Sequence, residues 1–385
     1  MSATCTCAAP PPCAVTSPSD DRSPVTLPTL VRVVGTGLLG TSIGLALRAR
    51  GVDVVLTDPS PTARALARDL GAGRLAGPDD VPDLVVVAAP PDVVADVVAA
   101  ELAAHPDAVV TDVASVKGGP LDALRAVGAD LTRYVGGHPL AGRERSGPVA
   151  ARADLFAGRP WVLTPSAESG DDALALVRAV AVAVGASVAV MDAAEHDEAV
   201  AAVSHVPQIA ASLVAARLRS LPENAVALAG QGIRDVTRIA ASDPQMWTQI
   251  LAGNAGAVVR TLRAVQSDLT ELLAALDALS DPSVTGARAT IAALVASGNE
   301  GQARIPGKHG SAPTSYAHVV VLVPDRPGEL ARLLHDVGSA GVNLEDLRLE
   351  HSEGQPVGLA EVAVLPAAEQ PLVQALRGLG WNVQA

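Results

Sequence analysis

From residue 30 to residue 191, short Val-rich runs alternate with Ala- and Leu-rich stretches of helical length, the pattern of parallel strands joined by crossover helices. Runs at 30–34, 53–57, 84–88, 108–112, 132–135 and 161–164 read as strands, and 173–191 reads as a helix followed by a strand. Residues 30–192 therefore predict an α/β doubly wound domain. Over 193–297 the β-branched runs cease. Amphipathic segments broken at Pro222, Asp243-Pro244 and Asp281-Pro282 predict an all-helical domain there. Residues 298–315 are crowded with Gly, Pro and Ser, have no hydrophobic period, and read as a linker. Residues 316–385 open with a strand at 317–323, turn at Asp325-Arg326-Pro327-Gly328, and continue as helix and a second βαβ-like half. That order suggests a small ferredoxin-like α+β module.

The length of 385 residues fits two or three domains. Forty-one acidic against 28 basic residues leave −13, with no Lys/Arg-rich run, which argues against nucleic acid and anionic membranes as partners. The apolar stretch 173–191 is interrupted by Arg178, Gly185 and Ser187 and does not read as a membrane span. The first 29 residues are rich in Pro, Ser and Thr, lack the apolar core of a signal peptide, and read as a disordered tail. They hold all three cysteines, Cys5, Cys7 and Cys13, without a fourth ligand at structural-zinc spacing, so no metal site is expected. A chain without a disulfide framework fits a cytoplasmic location.

Candidate chemistry begins at Val31-Arg-Val-Val-Gly35-Thr-Gly37-Leu38-Leu39-Gly40, a G-x-G-x-x-G run directly after a strand and before a helix. In that context Gly35 permits the tight turn, Gly37 lets backbone approach a pyrophosphate, and Gly40 packs helix on strand. The next strand ends at Asp58, about 20 residues on, where a carboxylate accepts hydrogen bonds from ribose hydroxyls and repels a 2′-phosphate. NAD is favoured over NADP, although Arg64 lies close in sequence.

Ligands of open α/β sheets bind beyond the carboxyl ends of strands. Two polar groups follow such ends: Asp112-Val-Ala-Ser115-Val-Lys117, and Gly136-Gly-His138-Pro through Arg143, Glu144 and Gly147. His138, read as lying on a loop between glycines, has the near-neutral basicity needed to take a proton from an alcohol whose carbon loses hydride. Ser115 alone could equally be a helix cap. In the helical region Glu195-His196-Asp197 is placed before a helix carrying Ser204-His205-Val-Pro-Gln208, and Arg234, Asp235, Arg238, Asp243 and Trp247 follow. An arginine there could fork onto a substrate carboxylate, or Asp235 and Asp243 could hold both arginines in ion pairs. His196 and His205 lack the i, i+4 spacing of a zinc pair.

The blocks GTGLLGTSIGLAL (35–47), DVASVKG (112–118), GHPLAGRERSG (137–147), DLFAGRPWVLTP (154–165), EHDEAVAAVSHVPQ (195–208) and RDVTRIAASDPQMW (234–247) together resemble the prephenate dehydrogenases. The resemblance runs from about Val31 to the end. It implies a Rossmann-type domain, a helical substrate and dimerisation domain over 193–297, and a C-terminal ACT regulatory domain over 316–385. The implied activity is oxidation of the ring alcohol of prephenate with NAD or NADP and loss of the ring carboxylate as carbon dioxide, giving 4-hydroxyphenylpyruvate. By motif, His138 would accept the hydroxyl proton, Ser115 would hydrogen-bond the hydroxyl and orient His138, and Arg238 would bind a substrate carboxylate. Glu144 and His205 would line the pocket and Trp247 would wall it. The turn with Asp325 and Gly328, and Asn343 on the following segment, resembles the amino-acid site of ACT domains, with tyrosine the natural effector.

Two positions depart from the family pattern. Arg143 stands where Thr is usual and Gln208 where His is usual, both beside the part of the substrate that distinguishes prephenate from arogenate. Arogenate dehydrogenase is thus the main alternative. A β-hydroxyacid dehydrogenase would need a catalytic Lys in the helical domain, and no Lys occurs between Lys117 and Lys308. An amino-acid sensor retaining the dinucleotide fold would not require His138, Ser115 and Arg238 together. The Ala/Leu faces of the helical domain exceed what one bundle buries and predict a homodimer.

Overall fold

The computed structural model describes residues 26–142, 146–281, 283–305, 316–351 and 356–384. The cysteines of the tail, Arg143 and Glu144, and most of the predicted linker lie outside the described residues. The chain divides into two compact units, one of residues 1–219 with 237–261 and the other of 220–236 with 262–385.

The first unit is built on β1 (Leu30–Val34), α1 (Leu38–Arg48), β2 (Asp53–Thr57), α2 (Pro61–Asp69), β3 (Arg74–Leu75), β4 (Leu84–Val87), α3 (Val94–Ala104), β5 (Val109–Asp112), α4 (Gly118–Ala126), β6 (Tyr134–Pro139), β7 (Pro160–Pro165), α5 (Asp171–Ala183) and β8 (Ser187–Val190). Its eight strands form one sheet in the order β3-β2-β1-β4-β5-β6-β7-β8. All four residues of β4 are buried, as expected of a strand covered on both faces. Alternation divides them: Leu84 and Val86 join the core with Val31, Ile43 and Trp161, while Val85 and Val87 join Val98, Val110, Leu124 and Tyr134 on the other face.

Two expectations need correction. The sheet is not wholly parallel, because β7 runs antiparallel to β6. A parallel return needs a crossover of a dozen or more residues, usually helical, and the described residues between β6 and β7 hold only a 3₁₀ turn at Pro148–Ala150. Nor does His138 lie on a loop: β6 continues through Gly136, Gly137 and His138 to Pro139. Glycine and proline argue against strand in a sequence. Here the glycines make room, since a Cβ on Gly136 would stand 2.4 Å from Thr164 Oγ1 and one on Gly137 2.7 Å from the Asp112 carbonyl oxygen.

After β8 the chain is helical, with α6 (Ala193–Val200), α7 (Val206–Leu218), α8 (Glu223–Val226), α9 (Gln231–Thr237), α10 (Pro244–Gly253), α11 (Ala255–Ala278) and α12 (Ala287–Gln302). Glu195, His196 and Asp197 lie inside α6 rather than before it, because Asp192 caps the helix by accepting from the Glu195 amide at 2.7 Å. A π-helical turn, Ala201–His205, joins α6 to α7 just before Pro207, whose missing N–H breaks the regular ladder.

In the second unit β9 (Ala317–Pro324), α13 (Glu329–Ser339), β10 (Asp346–His351), β11 (Val357–Val364), α14 (Glu369–Gly378) and β12 (Asn382–Gln384) form a βαββαβ arrangement. The sheet is antiparallel throughout, in the order β10-β11-β9-β12. Val319, Val321, Leu333, Val362, Leu372, Leu376 and Trp381 form its core. Gly328, at φ +91°, turns the chain into α13, and Asn343 donates to Glu345 Oε1 at 2.8 Å.

Candidate active site

β1, β4, β5 and β6 are mutually parallel, so their carboxyl ends reach the same edge of the sheet. That edge carries the glycine turn, Ser115 and His138. Gly35 has φ +96°, and a Cβ there would lie 2.3 Å from the Ala88 carbonyl oxygen. A Cβ on Gly40 would lie 1.9 Å from the Gly35 carbonyl oxygen, whereas one on Gly37 would meet nothing within 4 Å. Two glycines thus close the turn and the third faces open space. Leu38 and Leu39 begin α1 there, with amides that helical bonding leaves free for an anion.

Asp58 follows β2 and is tied to this turn. One carboxylate oxygen accepts from the Thr36 amide at 2.6 Å and its hydroxyl at 3.0 Å, and the other accepts from the Ser60 amide at 2.8 Å. A carboxylate has about four acceptor positions, so a ribose hydroxyl can still bond it. The cradle, the helix start and this acid fit a dinucleotide.

His138 has His196 as its ring partner, Nδ1 to Nε2 at 2.9 Å, with the rings edge to face at 5.1 Å and 72°. Ser115, half-buried after β5, makes no hydrogen bond to His138 among those of the described residues. The fully buried His196 extends its Nδ1 to Asp197 Oδ1 at 2.8 Å. Asp197 also accepts from the Lys117 amide at 2.9 Å and the Gly118 amide at 2.8 Å. Burial works to raise its pKa, but the bonds from His196 and from the two amides hold it below the ordinary carboxylate value. Burial, then His196, Lys117 and His205, push His138 well below its ordinary value, leaving a neutral imidazole.

Beneath β6 lies a second buried group. Lys117 Nζ pairs with Asp112 Oδ1 and donates to the Gly137 carbonyl at 2.7 Å, and Tyr134 donates to Asp112 Oδ2 at 2.7 Å. Burial, joined by the Asp112 charge, lifts the Tyr134 pKa well above its ordinary value, so it remains a donor. Burial likewise lowers that of Lys117, against the pull of Asp112.

His205 is buried and shares Asn254 Nδ2 at 3.2 Å, while the same amide donates to the Asp197 carbonyl at 2.7 Å. Its ring stands edge to face with Trp247 at 6.0 Å. Trp247 and Gln208 line a cavity of about 260 Å³ together with Ser212, Ser242 and Leu251. Arg238 is exposed and has no ion-pair partner among the described residues. Asp243 caps α10 through the Gln245 amide at 2.8 Å, and Asp235 accepts from Gln231 at 2.8 Å.

His138, His205, Gln208 and Trp247 are thus built into connected clusters. Sequence reading missed the roles of His196, Asp197, Asn254 and the Lys117–Asp112–Tyr134 group. The available signal was charged and histidine residues inside otherwise apolar segments, which must be paired when buried.

Family models for "Prephenate dehydrogenase, nucleotide-binding domain" and "Prephenate dehydrogenase, dimerization domain" match residues 43–190 and 192–284. The probable prephenate dehydrogenase NovF of Streptomyces niveus is 42% identical over 355 residues, covering 91% of this chain and 98% of that protein. The crystal structure of prephenate dehydrogenase from A. aeolicus, in complex with hydroxyphenyl propionate and NAD+, superposes with a TM-score of 0.62 at 29% identity, covering 73% of this chain and 98% of the other. That of Synechocystis arogenate dehydrogenase gives 0.60 at 25% identity, covering 71% and 98%. The chain belongs to the prephenate dehydrogenase family.

Proposed function

We propose that this protein oxidatively decarboxylates prephenate with NAD+ to give 4-hydroxyphenylpyruvate, with His138 as the general base. The observation that carries this reading is a neutral His138 at the carboxyl edge of a dinucleotide-binding sheet, held through one ring nitrogen and leaving the other for substrate. His138 takes the proton of the ring hydroxyl. Bound NAD+ supplies the acceptor for the hydride from the same carbon. As the ring carboxylate leaves, its C–C electron pair aromatises the ring, and His138 returns the proton to the new phenol oxygen. Ser115 contacts the hydroxyl on this reading, and Arg238, exposed and without an ion pair among the described residues, forks onto a carboxylate. The residues chiefly position the reactants, because aromatisation drives the carbon–carbon cleavage.

NAD is preferred over NADP on this reading because Asp58 places a negative charge beside the ribose site. The α+β unit formed by β9–β12 acts as an ACT domain that binds tyrosine near Asp325, Gly328 and Asn343. The protein is a homodimer. In support, Val265, Leu269, Leu273 and Leu276 leave an exposed apolar stripe on α11. Gln208 supports arogenate as a second substrate, since its neutral amide and the serines beside it offer both donors and acceptors to a keto acid or an amino acid.

The test is the initial rate of reduced-cofactor formation on prephenate and on arogenate, each with NAD+ and NADP+, with and without tyrosine. Faster turnover of prephenate with NAD+, slowed by tyrosine, is expected. Turnover of arogenate alone would transfer the function to the second reading, and no turnover of either would overturn both.

A further inference from the structure

We infer that His196 and Asp197 are positioning residues that dictate which nitrogen of His138 is free to act as base, an inference resting on the role of His138 given above. Asp197 is an acceptor on both oxygens, pinned by the amides of Lys117 and Gly118 where α4 begins. Its bond to His196 Nδ1 at 2.8 Å therefore requires the proton on that nitrogen. A neutral His196 then has a bare Nε2, and at 2.9 Å from it His138 Nδ1 must be the donor. The bare nitrogen of His138 is Nε2, available to the substrate hydroxyl.

The relay has physical consequences. Imidazole in water prefers its proton on Nε2, so an unsupported His138 would mostly present a proton where a lone pair is needed. Once His138 takes the substrate proton it becomes a cation whose Nδ1–H still points at His196, with the Asp197 charge behind it. The proton travels no further and is returned from Nε2. Asn254 fixes the helix from which both residues project, by donating to the Asp197 carbonyl at 2.7 Å. The arrangement resembles in logic the acid that orients the histidine of hydrolase triads, with a second imidazole interposed.

The experiment pairs a variant with a direct reading of the tautomer. In Asp197→Ala nothing holds the proton on His196 Nδ1, so His196 takes the Nε2–H form favoured in water, donates to His138 Nδ1 and puts the His138 proton on Nε2. Since general bases contribute about 10²- to 10⁴-fold, kcat on prephenate with NAD+ should fall by about 10²-fold or more across the pH plateau, with KM for either substrate little changed. In the wild-type holoenzyme labelled with ¹⁵N-histidine, and assigned by comparison with His138→Asn, the His138 resonances should show Nδ1 protonated and Nε2 bare. That spectrum decides the matter even if Asp197→Ala does not fold. A wild-type His138 protonated on Nε2, or an Asp197→Ala enzyme with wild-type kcat, overturns the relay. Those results with an inactive His138→Asn leave the base assignment standing, whereas an active His138→Asn removes the base assignment itself.

Discussion

Replacing Lys117 by Met tests the buried group that supports β6. The Lys117 side chain is 1% exposed and that of Asp112 0%, so the variant strands a carboxylate away from water. Breaking a buried ion pair from one side costs about 3–5 kcal/mol. Losing the donor to the Gly137 carbonyl adds about 1–3 kcal/mol. Two remaining bonds to Asp112, from the Ala114 amide at 2.7 Å and the Tyr134 hydroxyl at 2.7 Å, offset part of this. A net loss of about 3–5 kcal/mol is expected, which at about 2–4 °C per kcal/mol for a unit of this size lowers Tm by about 6–20 °C. Thermal and urea unfolding of the free enzyme measure it. Adding Asp112→Asn removes the stranded charge, so the double variant should recover at least half of the loss. A single variant within about 1 kcal/mol of wild type, or a double variant no better than the single, would refute the reasoning.

Four other outcomes follow from the site. Because the His138 pKa is depressed, kcat/KM should stay level as pH falls through the ordinary histidine value of 6.5 and decline only below it; a limb centred at or above 6.5 contradicts the burial argument. His138 and His205 are both depressed, so the unfolded chain binds more protons below 6.5, and stability present above that pH should be lost as pH falls, visible in Tm against pH. Gly37→Ala should fold normally yet weaken NAD+ binding by about tenfold or more in a direct titration, whereas Gly40→Ala, with its Cβ 1.9 Å from backbone, should destabilise the domain itself. Arg238→Leu should raise KM for prephenate by about ten- to a hundredfold with kcat largely kept, the worth of a charged hydrogen-bonded contact, and an unchanged KM would remove Arg238 from the substrate site.

The dinucleotide half was legible because its signals are local. Val-rich runs, three glycines at fixed spacing and an acid after the second strand all act within a few residues, and β1 and β2 fall where periodicity put them. The reading failed where tertiary neighbours override local preference. Gly136 and Gly137 argue against strand, yet β6 needs them because Thr164 and Asp112 press against its backbone. The antiparallel β7 depends on the kind of connection before it, which has no residue signature. In the site, His138 was recognisable from its motif, but its partner lies 58 residues away in sequence. Likewise Asp197 is joined to Lys117 across 80 residues. Such pairings are set by how α6 packs on the sheet edge, and no spacing rule within one element reports them.

The most direct test of the central claim is product analysis of prephenate incubated with purified protein and excess NAD+. The account predicts 4-hydroxyphenylpyruvate, carbon dioxide and NADH in equal amounts, with none formed by His138→Asn. NADH without carbon dioxide, or no product at all from a protein that binds NAD+, would contradict it.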